Sequence, residues 1–116
     1  MNLPHQAPIR FAQEILERDK NFYIVKCSFP YIPTLSMISE AAAQSSAAFA
    51  QDEKEPRIGF LISLKNIKKL SELDKEEYQI KISKSFNFGA MTEYKFELFD
   101  EKETYAEGEL TIALKN

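Results

Sequence analysis

The chain of 116 residues has no tryptophan, one cysteine and one histidine. A lone cysteine, Cys27, excludes an internal disulfide and suits a reducing cytosol. With His5 as the sole imidazole, and no CxxC or HExxH spacing, an all-protein zinc site lacks its ligands. Neither a metal nor a cofactor is expected. Clustered positive charge is also missing: 15 Lys and Arg stand against 18 Asp and Glu, for a net charge of −3. Phosphate backbones need gathered cations, so nucleic acid is not an expected partner. No stretch approaches the roughly 20 apolar residues of a membrane helix. The opening MNLPHQAPIRF lacks the basic-then-apolar order of a secretory leader. A cytoplasmic protein without a membrane partner is expected.

What is present has ordinary globular balance, with 28% charged and 44% hydrophobic residues. That is enough apolar surface for one core, so residues 1–116 are read as a single domain. Against this charged background, residues 27–51, CSFPYIPTLSMISEAAAQSSAAFAQ, carry one charged side chain, Glu40. A carboxylate alone in the least polar stretch of the chain is the first candidate for chemistry.

Periodicity sets the architecture. FYIVKCSF is β-branched and aromatic, which marks a strand, and PYIP ends it because proline donates no ladder hydrogen bond. IRFAQEILERD before it fits strand or helix. From Thr34 to about Gln51 the residues favour helix. Leu35, Ile38, Ala42, Ser45 and Phe49 fall on one stripe, and Thr34 or Ser36 can cap the start. The small residues from Ala41 to Ala48 let other backbone approach the axis, so the helix is expected to be enclosed.

Beyond the polar QDEKEP the period becomes two. Ile58, Phe60, Ile62 and Leu64 share one parity, and LSELDKEE connects to the next strand, with room for a short turn of helix. Tyr78, Ile80, Ile82, Phe86 and Phe88 share the next inward face, then Tyr94, Phe96 and Leu98. Ala106, Gly108, Leu110, Ile112 and Leu114 form the last. One helix followed by an antiparallel meander predicts an α+β fold, a curved sheet wrapped around the helix.

Three motifs sharpen that order. LPHQAPIRFAQEIL resembles the LPHRxPFLLxDRV opening of the dehydratases that act on 3-hydroxyacyl chains carried by acyl carrier protein. SFPYIPTLSMISEAAAQ resembles their HFPGxPxxPGVLxxEAMAQ, and RIGFLISLKNIK is similar to the strand that follows. The likeness spans nearly the whole chain in order, and a branch similar to the dehydratases of aryl-polyene pigment clusters shares LPH without the full HFPG motif. The resemblance implies the hot-dog fold and removal of water from a 3-hydroxyacyl thioester. The implied substrate is carried by acyl carrier protein or coenzyme A, and the implied assembly is a homodimer or larger.

Under the resemblance, the acidic catalytic residue falls on Glu40 and the motif's glutamine on Gln44. The catalytic histidine position falls on Ser28, and two residues are missing between Pro33 and the helix, where the family's backbone polarises the thioester carbonyl. A His–acid pair would have to draw on His5. Ser28, Pro33, Gln44, Gly59 and Phe60 are the candidate substrate contacts. The reaction needs a base at C2, an acid for the C3 hydroxyl and a donor for the thioester oxygen. A desolvated Glu40 beside Ser36, Met37, Ala41 and Gln44 suits such proton transfer. The same carboxylate could instead be a structural group satisfied by its Ser and Gln neighbours, His5 a local hydrogen-bonding residue of a proline-flanked loop, Ser28 the end of a strand and Gly59 a simple strand glycine. Two other functions stay open: a hot-dog thioesterase, and an acyl-binding partner subunit without chemistry, which the serine at position 28 would explain. Cys27 reads as a small core residue.

Overall fold

The computed structural model describes residues 10–50 and 58–115. Its elements are β1 (Ala12–Arg18), β2 (Phe22–Ser28), α1 (Leu35–Ala50), β3 (Ile58–Lys69), β4 (Glu77–Phe88), β5 (Met91–Phe99) and β6 (Thr104–Lys115). The strands form one antiparallel sheet in the order β1-β2-β4-β5-β6-β3, which packs on the helix. The ambiguous stretch before residue 19 is thus a strand. It pairs with β2, and that pairing overrides its partial helical pattern. The connection between β3 and β4 contains no helical turn.

The helix starts where its sequence supplies a cap. Thr34 Oγ1 accepts from the Met37 amide at 3.2 Å, and the Thr34 carbonyl accepts from the Ile38 amide at 3.0 Å. Ile38, Ala41, Ala42 and Ser45 are buried against the sheet. Three serines in this helix satisfy their hydroxyls on its own backbone. Ser39 donates to the Leu35 carbonyl at 3.0 Å, Ser45 to Ala41 at 2.8 Å and Ser46 to Ala43 at 2.7 Å. Polar side chains therefore pack on the core side without orphaned groups. The facing strands contribute Val25, Cys27, Ile80, Ile82, Phe96, Leu98 and Leu110, all buried. Each large apolar side chain removed from water contributes about 1.5–3 kcal/mol.

Strict alternation fails in β4 and twice in β3. A bulge between Lys84 and Phe86 resets β4, so Phe86 and Phe88, expected inward, are 59% and 41% exposed. One extra residue flips every later side chain to the other face. In β3 a register shift between Leu61 and Ser63 puts Leu61 opposite Ile112 and Leu64 opposite Leu110. The inward set is therefore Leu61 and Leu64, not Ile62 and Leu64. A second shift, between Lys65 and Lys68, surrounds Asn66, whose φ is 55°. Asparagine tolerates that left-handed geometry better than most residues. Gly89, with φ 64°, occupies the first position of the two-residue β4–β5 turn, where a hairpin favours glycine.

Gly108 on β6 is required by close approach. A Cβ there would lie 2.9 Å from Cε2 and Cζ of the Phe96 ring and would collide with Cδ1 of Ile67. Ile67 can swing its end away; the buried Phe96 ring cannot. Gly108→Ala is expected to destabilise the protein by about 1–3 kcal/mol, read as a lower urea midpoint at unchanged slope.

One end of the sheet is tied by two tyrosines. Tyr78 Oη accepts from the amides of Asp74 and Lys75 at 3.0 and 3.1 Å, fixing the approach to β4. Asp100 closes the β5–β6 turn. It accepts from Lys75 Nζ, from Tyr105 Oη at 2.8 Å, and from the amides of Lys102 and Glu103 at 2.8 and 3.1 Å. The Lys75 hydrogen bond, helped by the turn amides and Tyr105, holds the Asp100 carboxyl well below the usual carboxylate range. A carboxyl more acidic folded than unfolded stabilises fully above its unfolded pKa, about 4, and less as pH falls further. Asp100→Asn should therefore lower Tm at neutral pH, with the gap to the unaltered protein narrowing below about pH 4.

Candidate functional site

Glu40 is exposed within the single chain, contrary to the expectation of a dry carboxyl. The reason is rotational. The sheet covers the stripe containing Ile38, Ala42 and Ser45, and Glu40 lies about 200° around the axis from Ile38. Ser36, Glu40 and Ala47 form an exposed line, with half-buried Ala43 between them. The small-residue helix is thus enclosed on one side and open on the other. Beside it, Leu61 and Leu64 share the inward face of β3 yet remain 41% and 42% exposed. Glu40 on the helix and these two leucines on β3 are thus all exposed in the protomer.

The remaining sequence candidates are placed as follows. Pro33 is buried immediately before the helix cap. Gln44, one turn after Glu40, uses its carbonyl oxygen within the protein: Oε1 accepts from the amides of Phe11 at 2.8 Å and Ala12 at 3.0 Å. Ser28 is not brought to Glu40. Cys27 faces the helix, with its Sγ 4.0 Å from Ser45 Oγ, so the next residue of the strand projects from the other face. There Ser28 Oγ donates to Glu77 Oε2 at 3.3 Å. Ser28 is also the last residue of β2, the strand end that its sequence suggested. Gly59 and Phe60 lie on β3 opposite Leu114 and Ala113. His5 falls outside the described residues.

Cys27 is a fully buried core residue. Burial pushes its thiol up to about 12, against a weaker downward pull from the Ser45 hydroxyl. The reactive thiolate is essentially absent at neutral pH. Among the described residues no cluster of three or more His, Cys, Asp or Glu could hold a metal ion. Nor, among them, is any helix long and apolar enough to cross a membrane. What the arrangement offers is one carboxylate for proton transfer on an open helical face.

Sequence reasoning missed the partners of Gln44 and the tyrosine–aspartate ties at the end of the sheet. The Asp100 turn had a signal, the polar run DEKE. The amides that meet Gln44 had none, because a strand irregularity leaves no mark on residue type.

The architecture is that of the hot-dog fold, and known structures agree. No family model and no curated protein matches the chain. The dehydratase heterocomplex ApeI:P from Xenorhabdus doucetiae aligns with a TM-score of 0.77 at 14% identity, over 97% of this chain and 87% of that one. A thioesterase from Haemophilus influenzae aligns with a TM-score of 0.73 at 11% identity, over 89% of this chain and 78% of that one. A mutant thioesterase from Pseudomonas aeruginosa gives 0.70 at 10% identity, over 86% and 78%. The chain is a hot-dog domain similar in fold to dehydratases and thioesterases.

Proposed function

We propose that the protein is a single-domain, cytoplasmic acyl-thioester enzyme of the 3-hydroxyacyl dehydratase kind. It removes water from a 3-hydroxyacyl chain on acyl carrier protein or coenzyme A to give the 2-enoyl thioester. Glu40 is the acid/base and His5 its partner; Pro33, Gly59 and Phe60 flank the thioester. The observation that carries this reading is Glu40 itself, an isolated carboxylate on the open face of a small-residue helix. The similarity in fold to a dehydratase complex and to thioesterases adds to it.

The chemistry divides naturally between two groups. One removes the proton at C2 while the other delivers a proton to the departing C3 hydroxyl. A reacting centre open to water is unprotected from side reactions, so the site needs a cover. A second copy is the natural one, making a homodimer or larger assembly. Exposed Leu61 and Leu64 beside the helix supply apolar surface for it.

The thioesterase reading has its own support, because a helix carboxylate can equally direct water at a thioester carbonyl. One assay separates the readings. Crotonyl and 3-hydroxybutyryl thioesters are incubated with the protein, with the enoyl absorbance and free thiol followed in parallel. Interconversion supports the dehydratase. Thiol release without interconversion replaces it with the thioesterase. Acyl-thioester binding with neither reaction leaves an acyl-binding subunit. Light scattering should show at least a dimer, and a stable active monomer would remove the proposed cover.

A further inference from the structure

Strand β4 outruns the strand beside it. The pairing of β2 with β4 ends at Phe22 opposite Ser83, so residues 84–88 continue past the end of β2. On their other side they pair with β5. Among the described residues no backbone hydrogen bond reaches the edge that β2 leaves. In a strand, alternate residues aim both N–H and C=O at the same edge. Residues 84–88 are all exposed, so that edge is open.

The two faces of the open edge differ. Lys84 precedes the bulge and turns toward the helix, where its Nζ lies 5.3 Å from the centre of the Phe49 ring. Phe86 and Phe88 follow the bulge and take the opposite face, with ring centres 5.2 Å apart. Along the edge, at the β1–β2 turn, a cleft of about 270 Å³ is lined by Lys20, Asn21, Lys84, Phe86 and Asn87. Among the described residues that line it there are two lysines and no carboxylate. The neighbouring Asp19 carboxylate already accepts from the Asn21 amide at 3.1 Å. Lysines alone are a common guard of a sheet edge. Two adjoining aromatic rings in water are not a guard; they mark a contact surface.

We infer that this edge docks an extended segment of a partner protein in which acidic and apolar side chains alternate. The segment adds a strand beside residues 84–88 and takes up their free N–H and C=O groups. Alternation sends its carboxylates toward Lys84 and the cleft, and its apolar side chains toward Phe86 and Phe88. Charge selects the sign, because a basic segment would meet two lysines. The inference does not depend on the dehydratase reading.

The probe is a blocked hexapeptide of alternating glutamate and valine, titrated into the full-length protein and followed by amide NMR. Saturable shifts should be confined to residues 20–21 and 84–88. Amides on the open edge should exchange about tenfold more slowly with the peptide bound. Methylating the peptide nitrogens at one set of alternate residues should abolish binding, and at the other set should not, because one edge of the peptide pairs. Lys84→Glu should weaken binding by about tenfold and Phe86→Ser by roughly fivefold. Both side chains are exposed, so either variant should keep the fold.

Equal affinity for a lysine–valine hexapeptide, shifts centred elsewhere, or no binding at millimolar peptide would overturn the inference. Shifts at residues 84–88 that depend on the concentration of the protein alone would also overturn it, by making a second copy the occupant.

Discussion

Glu40→Gln is expected, on the proposed dehydratase reading, to lower the interconversion of crotonyl and 3-hydroxybutyryl thioesters by about 100- to 10,000-fold, the range over which a positioned acid or base contributes. The replacement is nearly isosteric and removes the proton-transfer function alone. Stability should scarcely change, because the side chain is exposed in the protomer and exposed substitutions usually stay within about 0.5 kcal/mol. The effect should lie in kcat more than in KM, since an interaction made mainly in the transition state is removed. Initial rates from the enoyl absorbance, with a thermal melt on the same sample, check both parts. Near-normal turnover would remove Glu40 from the mechanism; lost activity with a collapsed melt would make it a structural group.

The largest effect on stability is expected at Phe96. The ring is 1% exposed on β5, a central strand, and packs beneath Gly108 of β6. Phe96→Ala removes the contact area and leaves a hole that rigid neighbouring strands cannot close, at a cost of about 3–5 kcal/mol. Equilibrium urea unfolding followed by tyrosine fluorescence measures it. The pair with Gly108→Ala is diagnostic. Without the Phe96 ring, the methyl added at position 108 has room, so the double variant should be more stable than the sum of the two single losses implies. Additive losses would show that the ring is not what excludes a side chain at Gly108.

Most of the fold was legible because its signals are local and repeated. The helix was marked by Thr34, by the Leu35–Ile38–Ala42–Ser45 stripe and by proline ahead of it. The last three strands were marked by alternation at Ile80, Phe96 and Leu110. What the pattern hid were insertions of one residue. Phe86 and Phe88 keep the inward parity in sequence but lie beyond the bulge at Lys84, and β3 slips after Leu61. Such bulges depend on how two distant strands meet, which no short window contains.

The site was less legible for a related reason. Glu40 was identifiable by its isolation among apolar and small residues, yet its exposure depends on which stripe of the helix the sheet covers. The stripe of Ile38 predicts that rotation only if the helix is one-sided, and the abundance of alanine suggested a helix enclosed on several sides. Ser28 is the last residue of β2, as its reading as a strand end has it, and alternation next to Cys27 decides the face it takes.

The paired irregularities of β3 bear on how the protein behaves while unaccompanied. A sheet margin with evenly spaced donors and acceptors is a template for endless addition of strands. Here the spacing is broken twice, and Lys68 and Lys69 would each have to shed water before another chain could dock along the rim. Leucines can thus stand open for a partner without seeding fibrous aggregates.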